Sequence, residues 1–192
     1  MHTCKACSMT LRTATPKPKV CKVCRASFTP TKPMQKVCDW GCAVELAIRD
    51  RVKADKREIK KALEKLKSRS DWAREAQAAV NQFIRLRDAD LPCISCQRHH
   101  QGQYHAGHFL SVGARPELRF VESNIHKQCS ACNNYLAGNV VLYRKWLIEK
   151  IGTVGVEWLE GNHPTRKYTI DDLKAIKTEY AAKVRELKRG QE

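Results

Sequence analysis

The chain has 192 residues, 36 Lys and Arg against 20 Asp and Glu, and a formal net charge of +16. That length holds one medium domain or two small ones. A mean hydropathy of −0.55 limits the core, and a pI near 9.6 calls for a polyanionic partner, nucleic acid ahead of an acidic membrane surface. No apolar run approaches a bilayer span and the N-terminus lacks an apolar signal core, so the expectation is a cytoplasmic protein with no membrane partner.

Residues 1–42 are rich in Cys, Pro, Thr and Lys, with eight basic residues and a single acid, Asp39. The ten cysteines form five close pairs: Cys4/Cys7, Cys21/Cys24, Cys38/Cys42, Cys93/Cys96 and Cys129/Cys132. In an intracellular chain this is a zinc pattern rather than a disulfide framework. A two-residue spacer lets two thiolates meet one ion at tetrahedral angles. Cys4, Cys7, Cys21 and Cys24 make one ribbon-like quartet, and Cys21, Cys24, Cys38 and Cys42 make another; they share a pair, so both cannot form. The second is preferred because Phe28, Val37 and Trp40 can cover its metal. Cys4 and Cys7 are then an extra knuckle or a loosely held pair.

Residues 43–69 contain no Gly or Pro and carry ten basic and five acidic side chains. Val44, Ala47, Ile48, Val52, Ile59, Leu63 and Leu66 give a thin helical stripe. It suits a solvated linker or short coiled coil, or a basic rod along a phosphate backbone. A second helix is predicted from an N-cap at Ser70, with Trp72, Ala76, Ala79, Val80, Phe83, Ile84 and Leu86 on its apolar face. Asp90-Leu91-Pro92 ends it. Tyr104–Leu110 and Leu118–Val121 read as strands around a turn at residues 113–116. A short helix over 130–137 stops at Gly138, another spans Asn139–Ile151, and Thr169 caps a last one faced by Leu173, Ile176, Tyr180, Val184 and Leu187. Trp146 and Trp158 are expected in the core. The predicted class is α+β, mostly helical and zinc-rich: a zinc-ribbon-like module at 1–42, a basic helical linker or dimerisation region at 43–90, a strand–strand–helix core at 91–151 and a helical region at 152–192.

The core carries the chemistry. Cys93, Cys96, Cys129 and Cys132 bracket His108, Asn124 and Asn133. Phosphodiester hydrolysis needs a base for water, a cation for charge building on the phosphate, and positive groups to hold the strand. His108 is the candidate base. Asn124 can hydrogen-bond across the turn to fix the hairpin or the imidazole. The amide oxygen of Asn133 suits Mg²⁺ or Mn²⁺, ions that keep several waters and need few protein ligands. Arg115, Arg119, Arg144 and Lys145 are candidate contacts to nucleic acid. His126 is more readily structural, and His99 and His100 fall in a polar loop.

His108, Asn124 and the Cys129-x2-Cys132-Asn133 run resemble the HNH, or ββα-metal, nuclease superfamily. The longer run His105-Ala106-Gly107-His108, with Leu118-Arg119-Phe120 and Asn124-Ile125-His126-Lys127-Gln128-Cys129, is similar to the NinG (Rap) recombination nucleases of lambdoid phages, over nearly the whole chain from about Cys21. The resemblance implies an HNH core with structural zinc on Cys93, Cys96, Cys129 and Cys132, His108 as general base, Asn124 as brace and Asn133 on the catalytic metal. It also implies cleavage of branched recombination intermediates such as Holliday junctions and D-loops. Many HNH sites have Asp or His directly before the base; here Gly107 stands there. His105 resembles the first position of the Asp-Arg-Gly-His motif and is the other candidate ligand, although strand alternation points it away from His108 unless the strand bends. Paired strands in such substrates suggest a homodimer, with the 43–69 helix as its element. The competing readings are a non-catalytic zinc-finger protein that binds nucleic acid and an HNH nuclease of restriction or homing type cutting linear duplex.

Overall fold

The computed structural model describes residues 17–190. Cys4 and Cys7 lie outside them. Packing divides the chain into two units after Leu66, and together they make a mostly helical α+β protein with two cysteine clusters.

In the first unit a short antiparallel ladder, β1 (Lys19–Val20) with β2 (Ser27–Phe28), frames the first cysteine knuckle. Sequence reading showed no strands here, since two-residue strands carry no period. Phe28 is partly covered and Val37 is buried, as expected of groups shielding a metal, but Trp40 is exposed. It opens α1 (Trp40–Leu66). No residue of α1 is buried, and Val44, Ile48, Val52, Ile59, Leu63 and Leu66 of its stripe are all exposed.

The second unit is built around a two-stranded antiparallel ribbon, β3 (Tyr104–His108) and β4 (Ile125–Cys129), with His108 opposite Ile125, Gly107 opposite His126 and His105 opposite Gln128. Side chains of paired residues share a face. The face holding Ala106 and Ile125 packs on α2 (Arg69–Arg87) and α4 (Ile170–Arg189) through Trp72, Ala76, Val80, Phe83, Ile84, Leu173, Tyr180 and Val184, joined by Phe120 and Tyr168. On the other side lies α3 (Val140–Glu160), whose Tyr143, Leu147, Val156 and Leu159 close over Ile94, Phe109 and Leu118. Each of these two cores therefore buries a different face of the ribbon region.

Several boundaries differ from the sequence reading. The first strand ends at His108 rather than Leu110, and the second is Ile125–Cys129 rather than Leu118–Val121. Pro116 starts a 3₁₀ turn through Leu118, and a second turn covers Glu122–Asn124, so that stretch is coiled. The true strand was hidden because all five of its residues are buried, three of them polar, leaving no alternation to read. The second helix is capped by Ser68, not Ser70: Asp71 is then at N3, and the reciprocal bonds of a capping box form. Thr169 and Asp172 make the same box on α4, where the cap was expected. The helix expected to stop at Ile151 continues to Glu160, but Gly152 breaks it with a φ of 78°. Trp146 is partly buried against the α3 core, whereas Trp158 is 52% exposed.

Candidate metal centre and active site

The two cysteine quartets come together as the spacing predicts. Ligand atoms of Cys21, Cys24, Cys38 and Cys42 lie within 4.8 Å of one another, as do those of Cys93, Cys96, Cys129 and Cys132. A zinc ion with bonds of about 2.3 Å needs sulfurs about 3.8 Å apart. Sulfur separations of 3.4 Å for Cys24–Cys38, 3.6 Å for Cys38–Cys42 and 4.0 Å for Cys96–Cys129 match that scale. Either group could hold zinc. The first knuckle of each has the same backbone: Cys21 N–H donates to Ala26 O and Arg25 N–H to Cys21 O, while Cys93 N–H donates to Arg98 O and Gln97 N–H to Cys93 O. Arg25 and Gln97, each directly after a Cys-x2-Cys, both turn with positive φ, 65° and 54°. Amides also reach the sulfurs, Val23 N to Cys21 at 3.5 Å and Cys132 N to Cys129 at 3.4 Å, as thiolates favour.

Asn124 is fully buried immediately ahead of β4, not at the end of a strand as read from sequence. Its Oδ1 accepts from Leu110 N (2.9 Å), and its Nδ2 donates to Leu110 O (3.0 Å) and Leu118 O (3.3 Å). The side chain thus closes the loop between the strands on both edges. The Asn124→Ala protein should be less stable by about 3 kcal/mol, since three bonds vanish and buried backbone groups lose partners. Urea denaturation of zinc-replete protein checks this; a loss below about 0.5 kcal/mol would show the loop does not need the brace.

His108 ends β3. Its Nε2 lies 3.0 Å from the carbonyl oxygen of Arg119. A carbonyl only accepts, so Nε2 carries the proton and Nδ1 keeps its lone pair. Burial lowers the imidazole pKa, with the nearby Arg119 charge acting in the same direction, against the Arg119 carbonyl, which raises it. The neutral, basic form is therefore favoured. The carbonyl is anchored in turn: Arg119 Nε donates to Gln77 Oε1 (3.0 Å) and Nη2 to Ala73 O (3.4 Å), both on α2. This link through a backbone carbonyl has no sequence signature.

Ladder pairing is continuous from Tyr104 to His108, with no bulge. His105 stays on the face of Gly107, and His108 shares the face of Ala106, so the strand does not bring His105 to His108. Asn133 sits in a π-helical turn, Ala131–Tyr135, where a short helix was expected. Its Nδ2 donates to Asn134 Oδ1 at 2.6 Å, and its Oδ1 faces Gly107. A Cβ on residue 107 would fall 3.0 Å from Asn133 Oδ1 and 2.1 Å from Gln128 Oε1. A side chain at 107 would have to displace the Gln128 amide, which Ser95 and Gly138 hold in place. Gln128 Oε1 is also buried without a hydrogen-bond partner. Hard oxygen donors above a glycine, one of them orphaned, fit a Mg²⁺-type ion.

His126, beside Gly107 in the ladder, is buried with Nδ1 3.2 Å from Tyr143 Oη, while Tyr143 donates to Gly107 O at 3.0 Å. Burial, then the Lys150 and Arg87 charges, pull its pKa down to about 3. A His that binds fewer protons folded than unfolded stabilises the fold above the unfolded pKa of about 6.5, and that stability is lost as pH falls below it. Stability should drop by about 1–2 kcal/mol between pH 7 and pH 5.5 on this account, and His126→Gln should flatten that slope. Chemical denaturation of both proteins with excess zinc checks it; parallel slopes would exclude His126 as the source.

The candidate nucleic-acid contacts are mostly committed within the chain. Arg115 bonds Glu117 and the carbonyls of Glu160 and Gly161. Arg119 is held by α2, and Arg144 makes a two-pronged pair with Glu160. Lys145 lies over the Trp146 ring, 5.0 Å from its centroid. His100 Nε2 is 3.1 Å from Cys96 Sγ, nearer the cysteine cluster than a free loop residue would be. No helix among the described residues is long and apolar enough to cross a membrane.

A family model described as NinG, Bacteriophage Lambda NinG protein, matches residues 13–192. Protein ninG of Escherichia phage lambda is 50% identical over 134 residues, 70% of this chain and 65% of that protein. Protein ninG of Salmonella phage P22 is 49% identical over 134 residues, again 70% of this chain and 65% of the relative. That of Escherichia phage 933W is 48% identical over 134 residues, 70% of this chain and 66% of the relative. The matched stretch spans about 65% of the length of these curated relatives. No solved structure matches the chain.

Proposed function

Since this chain belongs to the NinG family, we propose that it is a divalent-cation-dependent endonuclease with an HNH-type core, acting on branched DNA of phage recombination. The observation that carries the reading is the state of His108: an imidazole fixed through Nε2 to a carbonyl, its pKa lowered by burial, at the end of a strand whose preceding glycine is faced by the Asn133 oxygen on the strand's other side.

In this mechanism Nδ1 of His108 takes a proton from water as the water oxygen attacks phosphorus. Arg119 O holds the ring and stabilises the imidazolium that forms, because its acceptor lies on the Nε2 proton. Asn133 would hold Mg²⁺ or Mn²⁺, which when bound neutralises charge on the phosphate and the departing 3′ oxygen. Cys93, Cys96, Cys129 and Cys132 would hold a zinc ion, which would fix the turn bearing Asn133. The net charge of +16 supplies phosphate attraction, so affinity should fall steeply with salt. The exposed apolar stripe of α1 supports a homodimer that presents two active sites to a branched substrate.

The test is cleavage of a four-way junction and a linear duplex, with Mg²⁺ and with EDTA. Metal-dependent cutting of the junction in preference to duplex is expected. Tight binding without cutting under all conditions would leave a zinc-held binding protein, and equal cutting of duplex would remove branch preference.

A further inference from the structure

Asn133 is a thin basis for a cation site, because a single neutral amide oxygen holds a divalent ion weakly and Gly107 offers no side chain. Gln128 lies across the ladder from His105 on the Gly107 face of the ribbon and is completely buried. The direction of its amide is fixed. Nε2 donates to Ser95 Oγ at 2.7 Å and to the carbonyl of Gly138. A carbonyl accepts only, so the nitrogen must be on that side and Oε1 must turn toward Gly107. Among the described residues Oε1 of Gln128 is the one buried side-chain polar atom with no partner. Leaving such an acceptor dry is costly, and native folds rarely do so without reason. Its neighbour above Gly107 is another acceptor, Asn133 Oδ1, whose own amide nitrogen is spent on Asn134. Two acceptors directed into one space repel each other unless a donor or a cation lies between them.

We infer that Gln128 Oε1 is a second protein ligand of the divalent cation held by Asn133, the pair of amide oxygens over Gly107 doing the work of the missing carboxylate. The inference rests on the nuclease reading only for what the ion does; the site itself follows from Gln128, Asn133 and Gly107. Two neutral oxygens leave the remaining positions of an octahedral Mg²⁺ to water and substrate. Asn133 is partly exposed and gives the ion its path to solvent. The absence of a carboxylate also predicts modest affinity, with tight binding only when phosphate completes the shell.

The test measures Mn²⁺ binding to the zinc-loaded chain by the loss of the free-ion electron paramagnetic resonance signal. Wild type and His108→Ala should each bind one Mn²⁺ alike, because His108 lies on the other face of the strand. Gln128→Met, which keeps the volume but removes the amide oxygen together with the Nε2 donor to Ser95 and Gly138, should weaken binding about tenfold or more. Zinc stoichiometry shows whether that variant keeps its fold. Where it does not, wild-type protein labelled with ¹³C at glutamine Cδ decides: the Gln128 carbonyl resonance should shift on saturation with Mg²⁺ while that of Gln77 stays. Unchanged Mn²⁺ affinity in zinc-replete Gln128→Met, or an unmoved Gln128 resonance, overturns the inference even if DNA is cut. Affinity that depends on Gln128 in a protein that cuts no DNA would sustain the site and remove the nuclease reading instead.

Discussion

Replacing His108 by Ala should reduce junction cleavage by about 10²–10⁴-fold while leaving binding of the junction nearly unchanged. On the proposed mechanism the size follows from removing a positioned base, and the selectivity follows from geometry. The ring donates only to Arg119 O, a carbonyl already held by the anchoring of the Arg119 guanidinium on α2. Losing it leaves one carbonyl to find water and disturbs no salt bridge. Single-turnover cleavage at saturating Mg²⁺, with binding measured in Ca²⁺ or without metal, separates the two. Cleavage at wild-type rate by His108→Ala would exclude the imidazole as base. The pH profile gives a second reading. Because burial lowers the pKa, the base stays deprotonated below the usual 6.5, so the acid limb of the wild-type profile should lie on the acid side of that value.

The effect of Arg119 on this site shows what sequence could and could not reveal. Cysteine spacing identified the second quartet and narrowed the first to two alternatives sharing Cys21 and Cys24, because ligand geometry is local and a short knuckle leaves little freedom. The α2 and α4 faces were legible because each has a helical period, and Thr169 is a local cap signal. By contrast β4 was displaced by a whole element. Its polar residues are buried because cysteine loops, α2 and α3 cover both faces, and burial on both faces erases the period-2 pattern on which strand reading depends. Moving the strand changed Asn124 from the end of a strand to the brace just before one, although its side chain still spans the turn. His105 was left open by the sequence because its role depended on a bulge; the regular ladder puts it beside Gly107 instead. Gln128 gave no signal at all. A glutamine before a cysteine is ordinary, and only its fixed amide and unpaired oxygen distinguish it.

Loss of one cysteine from each quartet should have unequal consequences, and the reason is the amount of core around each. In the described part of the first unit only Cys21, Pro30 and Val37 are buried, and the ladder has two residues per strand. Such a module cannot offset its chain entropy by burial, so metal binding must supply nearly all its folding free energy, on the order of 10 kcal/mol for a four-thiolate zinc site. Cys21→Ser should therefore unfold residues 17–39 outright and lower bound zinc by one ion per chain. The second quartet is different. Cys93, Cys129 and Cys132 form only a small cluster beside two larger cores that use no metal, one on α2 and α4 and one on α3. Cys129→Ser should release its ion and loosen the turn carrying Asn133, yet leave those helices folded. Cleavage should then fall as far as it does for loss of a catalytic group, because Asn133 is no longer held over Gly107. Zinc content by elemental analysis, amide hydrogen exchange and cleavage, measured on both variants, distinguish the two cases. Hydrogen-exchange protection lost across α2 and α4 in Cys129→Ser would mean that the zinc site carries the whole second unit, and equal retention of structure around Cys24 in Cys21→Ser would mean that the first module folds without its ion.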